Sequence, residues 1–373
     1  MTRAALLTLL CLVGAARAQE AAPVASANLA AVDSQGRPTF LHEPDEDPAP
    51  RRWGRGPLEV RDPFLLALNR LSPWARSPEV LGHLQVEVSL RALWTNSYAF
   101  ARNRYVIDGE VREVAGVVRL GLFERLELGL FLPYQARSGG DLDGFIEGFH
   151  DAFGLPDADR DRVPRDRYRI TGQEVGRRTF QLDQDGWGFG DLVSEARVLL
   201  TEGGDILPAM TVGLRLRWPT GQRKFDVSPG VDASLSLDLC QRLGPRSPFI
   251  AYAGGAWTWH HHTRYDGIRQ ARNRGLFYLG LEWEITGWLS FSVHGWIESI
   301  RETRLFRDLD VTDPTNPLFG SELEFGNWIS YVAFGFKVEP VEGLTFELGA
   351  LENVIDPETS ADFTLLANIS WRS

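Results

Sequence analysis

Cysteine is almost absent from this chain of 373 residues: Cys11 and Cys240 are the two. Residues 1–18 read as a secretory leader, with Arg3 as the charged start, Ala4 to Val13 as the apolar core and Ala16-Arg17-Ala18 as an A-x-A cleavage site. Cys11 raises lipid attachment, but the bulky Leu10 precedes it and cleavage after Ala18 fits better. Removal of the leader leaves Cys240 alone, so no internal disulfide can brace the exported protein. Long apolar runs are missing as well. The leader's core is too short to span a bilayer, and no later segment has the roughly 18 apolar residues of a spanning helix. An exported chain with neither anchor nor disulfide needs another brace, and a closed hydrogen-bonded sheet supplies one.

Positive charge is in deficit. The formal net charge of −11 becomes −13 when Arg3 and Arg17 leave, with 37 basic against 50 acidic residues, and this gives no support for nucleic-acid binding. Catalytic signatures are also missing: neither G-x-S-x-G nor H-E-x-x-H occurs. A lipid-directed enzyme would need a serine paired with a histidine near the lumen mouth or lipid. His294 is the strand candidate and no partner is evident, so the reading weighs against an enzyme and implies no cofactor.

What is present is one pattern, repeated. From Leu84 to Trp94, Leu84, Val86, Val88, Leu90, Ala92 and Trp94 alternate with Gln85, Glu87, Ser89 and Arg91. That period of two marks a strand with one apolar and one polar face. It recurs near 83–95, 111–123, 126–136, 188–200, 208–218, 231–241, 249–259, 275–285, 288–299, 328–338, 344–352 and 362–371. Most of these can cross a bilayer, which takes about 9–11 tilted residues. The links alternate in length: tight at 124–125, 286–287 and 339–343, moderate near 201–207 and 242–248, and long near 96–110, 137–187, 219–230, 260–274, 300–327 and 353–361. Trp94, Tyr134, Trp187, Trp218, Trp257, Trp259 and Trp328 fall at the long-loop ends, and Trp283, Trp288 and Trp371 at the short-turn ends. Two aromatic girdles in register with this topology favour lipid outside. The pattern predicts an all-β fold: a transmembrane antiparallel up-and-down β-barrel of about twelve strands, with a helical segment in the longest external loop. The domains are then a leader at 1–18, a periplasmic arm and possible plug at 19–81, and an outer-membrane barrel at 82–373.

The polar face places Glu87, Arg91, Arg119, Arg197, Arg215, Arg217, Glu282, His294 and Glu298 along the lumen, with Glu113, Glu127, Glu195, Asp232, Asp238, Glu284, Lys337 and Glu347 beside them. These residues would line a charged passage or pair with one another to fill the interior. Twelve strands lies between the filled eight and the open sixteen, so size does not decide. The longest loop runs Gly139-Gly140-Asp141-Leu142-Asp143-Gly144-Phe145-Ile146-Glu147-Gly148-Phe149-His150-Asp151-Ala152-Phe153-Gly154-Leu155-Pro156. Leu142, Phe145, Ile146, Phe149 and Phe153 follow helical spacing, and Asp143, Glu147 and His150 share the opposite face. That trio is a candidate metal or substrate face; the plainer reading is a wet face on a helix that folds into the mouth or lies on the rim. Asp157, Asp159 and Asp161 fail the EF-hand pattern, because Arg162 and Tyr168 stand where Gly and Glu are needed. In His260-His261-His262, alternation lets at most His260 and His262 chelate together, and the plainer reading is a hydrated rim.

Ile107-Asp108-Gly109-Glu110, then Gly139-Gly140-Asp141-Leu142-Asp143 through Phe149-His150 and Phe153-Gly154-Leu155-Pro156, with Arg160 after it, resembles the bacterial outer-membrane family called domain of unknown function 3187. The similarity covers about residues 60–371 and implies a barrel in the outer membrane, with no activity attached. The sequence reading is therefore a pore or channel for a small solute, constricted or capped by the loop helix. The alternative is a closed structural or binding barrel, with a lipid-directed enzyme third. Expected partners are outer-membrane lipid, lipopolysaccharide and the barrel-assembly machinery.

Overall fold

A computed structural model describes residues 31–32, 38–39 and most of 53–373; the segments 102–104, 149–166, 174–178, 183–184, 223–228, 300–327 and 356–360 and a few isolated positions lie outside the described residues. The chain divides into residues 1–49 and 50–373. In the first unit Ala31–Val32 pairs antiparallel with Pro38–Thr39.

The second unit is built on twelve strands: β1 Val86–Ala101, β2 Tyr105–Leu122, β3 Leu126–Ser138, β4 Leu192–Glu202, β5 Ala209–Trp218, β6 Asp232–Arg242, β7 Phe249–Trp259, β8 Asn273–Thr286, β9 Leu289–Ser299, β10 Trp328–Val341, β11 Leu344–Ile355 and β12 Phe363–Arg372. Each pairs antiparallel with its sequence neighbour, and β12 closes on β1 with Phe363 opposite Asn96 and Arg372 opposite Glu87. All twelve strands read from the alternation are present, and the ring has no open edge.

The β1–β2 hairpin departs from the expected pattern. A long link was expected near 96–110, but pairing continues to Ala101 opposite Tyr105, so the strands themselves run on. Beyond the ring, Arg169–Gln173 pairs with the upper part of β2 and Gly186–Phe189 with that of β3.

The two faces of the sheet separate cleanly. On β1, Val88 and Leu90 are exposed while Glu87, Ser89 and Arg91 are buried. The same inversion recurs around the ring, with Leu128 and Leu130, Leu235 and Leu237, Leu279 and Leu281, and Phe346 and Leu348 outside. Trp187, Trp218, Trp257 and Trp259 are exposed toward the long-loop end, and Trp283, Trp288 and Trp371 toward the short-turn end. An apolar outside between two tryptophan belts is the surface a bilayer demands.

The interior is occupied by the chain's own residues 53–81, here termed the strap. It enters at the short-turn end, where Trp53 Nε1 donates to the Glu202 carbonyl at 3.2 Å. It reaches the long-loop end, where Asp62 meets Arg274 and the Arg70 guanidinium donates to the His262 carbonyl at 2.8 Å. It then returns and joins β1. Leu58, Val60, Phe64, Leu65 and Leu68 of the strap are buried in one cluster with Ile107, Leu276, Trp296 and Tyr331 of the wall. The central space of this barrel is therefore a packed core.

Candidate functional site

The strap carries charges that meet those of the wall. Glu59 lies among three guanidiniums: Arg119 at 2.5 Å, Arg76 of the strap at 3.7 Å, and Arg91 in direct contact. Burial alone would raise the Glu59 carboxyl, but Arg119, Arg91 and Arg76 outweigh it and hold the group well below the usual carboxylate range. Arg76 reaches Glu127 and Glu195, each at 2.8 Å. Burial works against its charge, and Glu127, Glu195 and Glu59 nonetheless keep it firmly protonated. Arg61 forms a two-nitrogen contact with Glu113, whose carboxylate also accepts from Gln135 Nε2 at 2.8 Å.

Some backbone groups of the strap bond within it, as Leu68 N–H does to the Phe64 carbonyl at 3.1 Å, and many others are satisfied by wall side chains, as buried amides require. Glu282 accepts from the Arg55 and Gly56 amides at 2.9–3.0 Å. Lys337 Nζ donates to the carbonyls of Arg55 and Pro57 at 3.1 and 2.8 Å. Arg197 donates to the carbonyls of Glu79 and Ser77, and Tyr252 to that of Trp53 at 2.7 Å. Gly54 has a positive φ of +61°, and a Cβ there would fall 2.5 Å from Glu282 Oε2, so the entry strongly favours glycine.

Each residue of the lumen set can be placed. Glu87, Arg91 and Arg119 gather around Glu59 at the short-turn end, with Arg372 donating to Glu87 at 3.2 Å. Arg215 pairs with Glu195 at 2.6 Å and lies 4.4 Å over the Trp74 ring. Arg217 bridges Asp232 at 2.8 Å and Asp191 near the long loops. Glu298 pairs with Arg274. His294 is 1% exposed and stacks on Trp296 with centroids 5.5 Å apart. The set thus divides among several clusters. The strap groups Glu59, Arg61, Asp62 and Arg76 join them, and the sequence reading did not single these out. A signal was available: the inward set holds ten acids against six bases, and residues 53–81 supply Arg55, Arg61, Arg70 and Arg76.

Between the strap's lower part and the wall lies a cavity of about 780 Å³ at the short-turn end, bounded by Glu59, Arg76, Glu87, Arg119, Lys337 and Glu347 among others.

The long loop is placed otherwise than expected. Ile146 N–H donates to the Leu142 carbonyl at 2.9 Å, giving one helical turn over 143–146; Glu147 and His150 lie outside the described residues, as does Arg160. Leu142 and Ile146 pack with Phe363, Trp94 and Leu365. Those three side chains belong to the outward series of β12 and β1, so this turn clasps the outer wall and does not enter the mouth. The motifs behind the family resemblance build that clasp: Glu110 accepts from Trp94 Nε1 at 2.6 Å and from the Leu142 amide, and its carboxyl occupies the place of a Cβ on Gly140, where φ is +75°. Asp143 is buried, accepting from Asn96 Nδ2 at 3.1 Å, and so is not part of a wet face. His260 also departs from the hydrated rim: it is fully buried with Nδ1 3.1 Å from Asp232. Among the described residues no cluster of metal-ligating side chains forms.

Among solved structures, the chain is similar to the COG4313 outer membrane channel from Pseudomonas putida F1 at 11% identity, over 79% of this chain and 97% of that one, with a TM-score of 0.48. It is similar to the NanC porin at 8% identity, over 77% and 98%, with a TM-score of 0.40. It is also similar to the toluene transporter TodX of P. putida at 8% identity, over 79% and 90%, with a TM-score of 0.39. No curated protein matches the sequence. A family model matches residues 48–372, and the chain belongs to that family, described as "Protein of unknown function (DUF3187)".

Proposed function

We propose that the protein is an exported barrel of a Gram-negative outer membrane whose interior passes a small solute when the strap leaves its seat. The apolar outer face and the two tryptophan belts support the membrane setting. In this reading outer-membrane lipid and lipopolysaccharide surround the wall, and the barrel-assembly machinery inserts it.

The observation that carries the reading is the ionic seat of the strap. A buried ion pair contributes little net stability compared with apolar packing of the same volume, because desolvation cancels most of the attraction. A permanently filled barrel gains nothing from four arginines and their acids. A segment that docks and undocks does gain, since water can resolvate every one of those groups when the contact opens. The cavity at the short-turn end brings water up to Glu59, at the centre of that seat.

The closed structural or binding barrel has its own support in the buried cluster of Leu58, Val60, Phe64, Leu65 and Leu68. An enzyme has less, because His294 meets no hydroxyl or carboxylate among the described residues.

Single-channel recording separates the first two. The refolded protein is compared with a variant lacking residues 53–81. Brief or small steps from the intact protein and large, long-lived steps from the deletion support a strap-closed channel. Silence from both, with the barrel shown folded by heat-dependent electrophoretic mobility, overturns it in favour of the closed barrel.

A further inference from the structure

Around much of the wall, inward polar side chains bond to the strap or to each other. Single exceptions occur at Ser89, Ser236 and Ser330, and the inward face of β9 gathers several in one run. Ser290, Ser292, His294 and Trp296 occupy successive inward positions and are all buried. Both serine hydroxyls, both imidazole nitrogens of His294 and the indole Nε1 of Trp296 have no hydrogen-bond partner among the described residues. The stacking of His294 on Trp296 uses ring faces and leaves the nitrogens unanswered. Glu298, the next inward position, pairs with Arg274 at the long-loop end. From Ser290 to Glu298 the line covers eight residue steps, or about 26 Å at a strand's rise.

The strap is fastened on either side of this strand. Glu282 of β8 holds the Arg55 and Gly56 amides, and Lys337 of β10 holds the carbonyls of Arg55 and Pro57. Small residues flank the line: Gly280 and Ala333 stand opposite His294, and Gly335 stands opposite Ser292. The lower end comes close to the cavity at the short-turn end. Ser290 is the register partner of Lys337, which borders the 780 Å³ cavity.

Buried polar groups are nearly always paired, and an unpaired one is costly. Five such atoms in succession on one strand constitute a track. The chemistry of the track is uncharged: two hydroxyls that donate and accept, a neutral imidazole with one donor and one acceptor, and an indole donor. Such groups exchange hydrogen bonds with a neutral protic molecule but do not replace the hydration shell of an ion. We infer that the inward face of β9, uncovered when the strap leaves its seat, lines the passage, and that the passage takes water and small uncharged hydrogen-bonding solutes such as polyols and amides. The inference rests on the channel reading and specifies its path and cargo class.

The test is osmotic swelling of proteoliposomes in glycerol and in urea, with a parallel potassium flux measurement. The proteins are wild type, Ser292→Leu, His294→Phe and the conservative Ser292→Thr, each checked for folding by heat-dependent mobility. The passage predicts glycerol and urea entry that clearly outpaces potassium. Ser292→Leu and His294→Phe should slow entry by about tenfold or more, the factor expected when one buried hydrogen-bonding group is lost. Ser292→Thr, which keeps the hydroxyl, should stay near wild type. Flux that ignores both bulky substitutions puts the path elsewhere and overturns the inference while leaving the channel. Potassium entry as fast as that of glycerol overturns the cargo class. Absence of any flux, even with the strap unseated by Glu59→Gln, overturns the channel and the inference together.

Discussion

Glu59→Gln isolates the seat of the strap. The carboxylate serves Arg91, Arg119 and Arg76 at once. Arg119 retains Glu87, and Arg76 retains Glu127 and Glu195. Arg91 is left worst off, because among the described residues Glu59 is the carboxylate paired with it. Removing one partner of a buried pair costs about 3–5 kcal/mol. Glu59 keeps 16% exposure, so the lower figure applies. A loss of about 3 kcal/mol raises the undocked fraction roughly a hundredfold. Cys240 reports that fraction without an engineered probe, since its Sγ is 3.9 Å from the Trp53 carbonyl and the residue is buried. When docking is fast relative to reaction, the labelling rate of Cys240 by a water-soluble thiol reagent follows the undocked population. Glu59→Gln should therefore label about a hundred times faster than wild type, and adding Arg91→Met should recover most of the protection. Equal rates in wild type and Glu59→Gln would refute the claim that this cluster holds the strap.

Three further outcomes follow from the same geometry. Arg61→Met leaves the buried Glu113 without its counter-charge, with only Gln135 among the described residues still donating to it, so hydrogen exchange across residues 58–71 should speed up by the equivalent of about 3 kcal/mol, with Glu113→Leu restoring much of it. Gly54→Val drives a side chain into Glu282 and Tyr252 from a left-handed backbone; it should expose the strap entry to proteolysis, at a cost of about 1–3 kcal/mol. The depressed Glu59 carboxyl stabilises docking fully above its undocked value near 4.5 and loses that contribution as pH falls through the lower docked value, so Cys240 labelling, corrected for reagent chemistry, should stay flat from neutral pH to about 5 and rise only in stronger acid.

The barrel was legible because alternation is enforced on every strand by two incompatible surroundings, an apolar outer face and a polar interior. Where that demand weakens, the reading weakened. Beyond the apolar belt, the polar Asn96, Ser97 and Asp108 interrupt the alternation, and the β1–β2 ladder continues through a stretch whose sequence resembles a loop. The strap has no period at all, since its backbone is held by wall side chains such as Glu282 and Lys337. Only the acid excess of the wall hinted at its arginines. Of the apolar helix face expected from Leu142 to Phe153, Leu142 and Ile146 are buried across a single turn and Phe149 and Phe153 lie outside the described residues; spacing also does not say what such a face covers. The outward side of Phe363 and Trp94 takes it, and no constriction results. His260 was misplaced for a similar reason: its burial depends on Asp232, a partner brought by the neighbouring strand.

The most direct test of the central claim is to record single-channel current and Cys240 labelling on the same preparations of wild type and Glu59→Gln. A strap-closed channel predicts that the variant labels faster and conducts more often by a similar factor. A variant that labels fast while both proteins remain electrically silent would contradict the account and identify a barrel that stays closed even with its strap unseated.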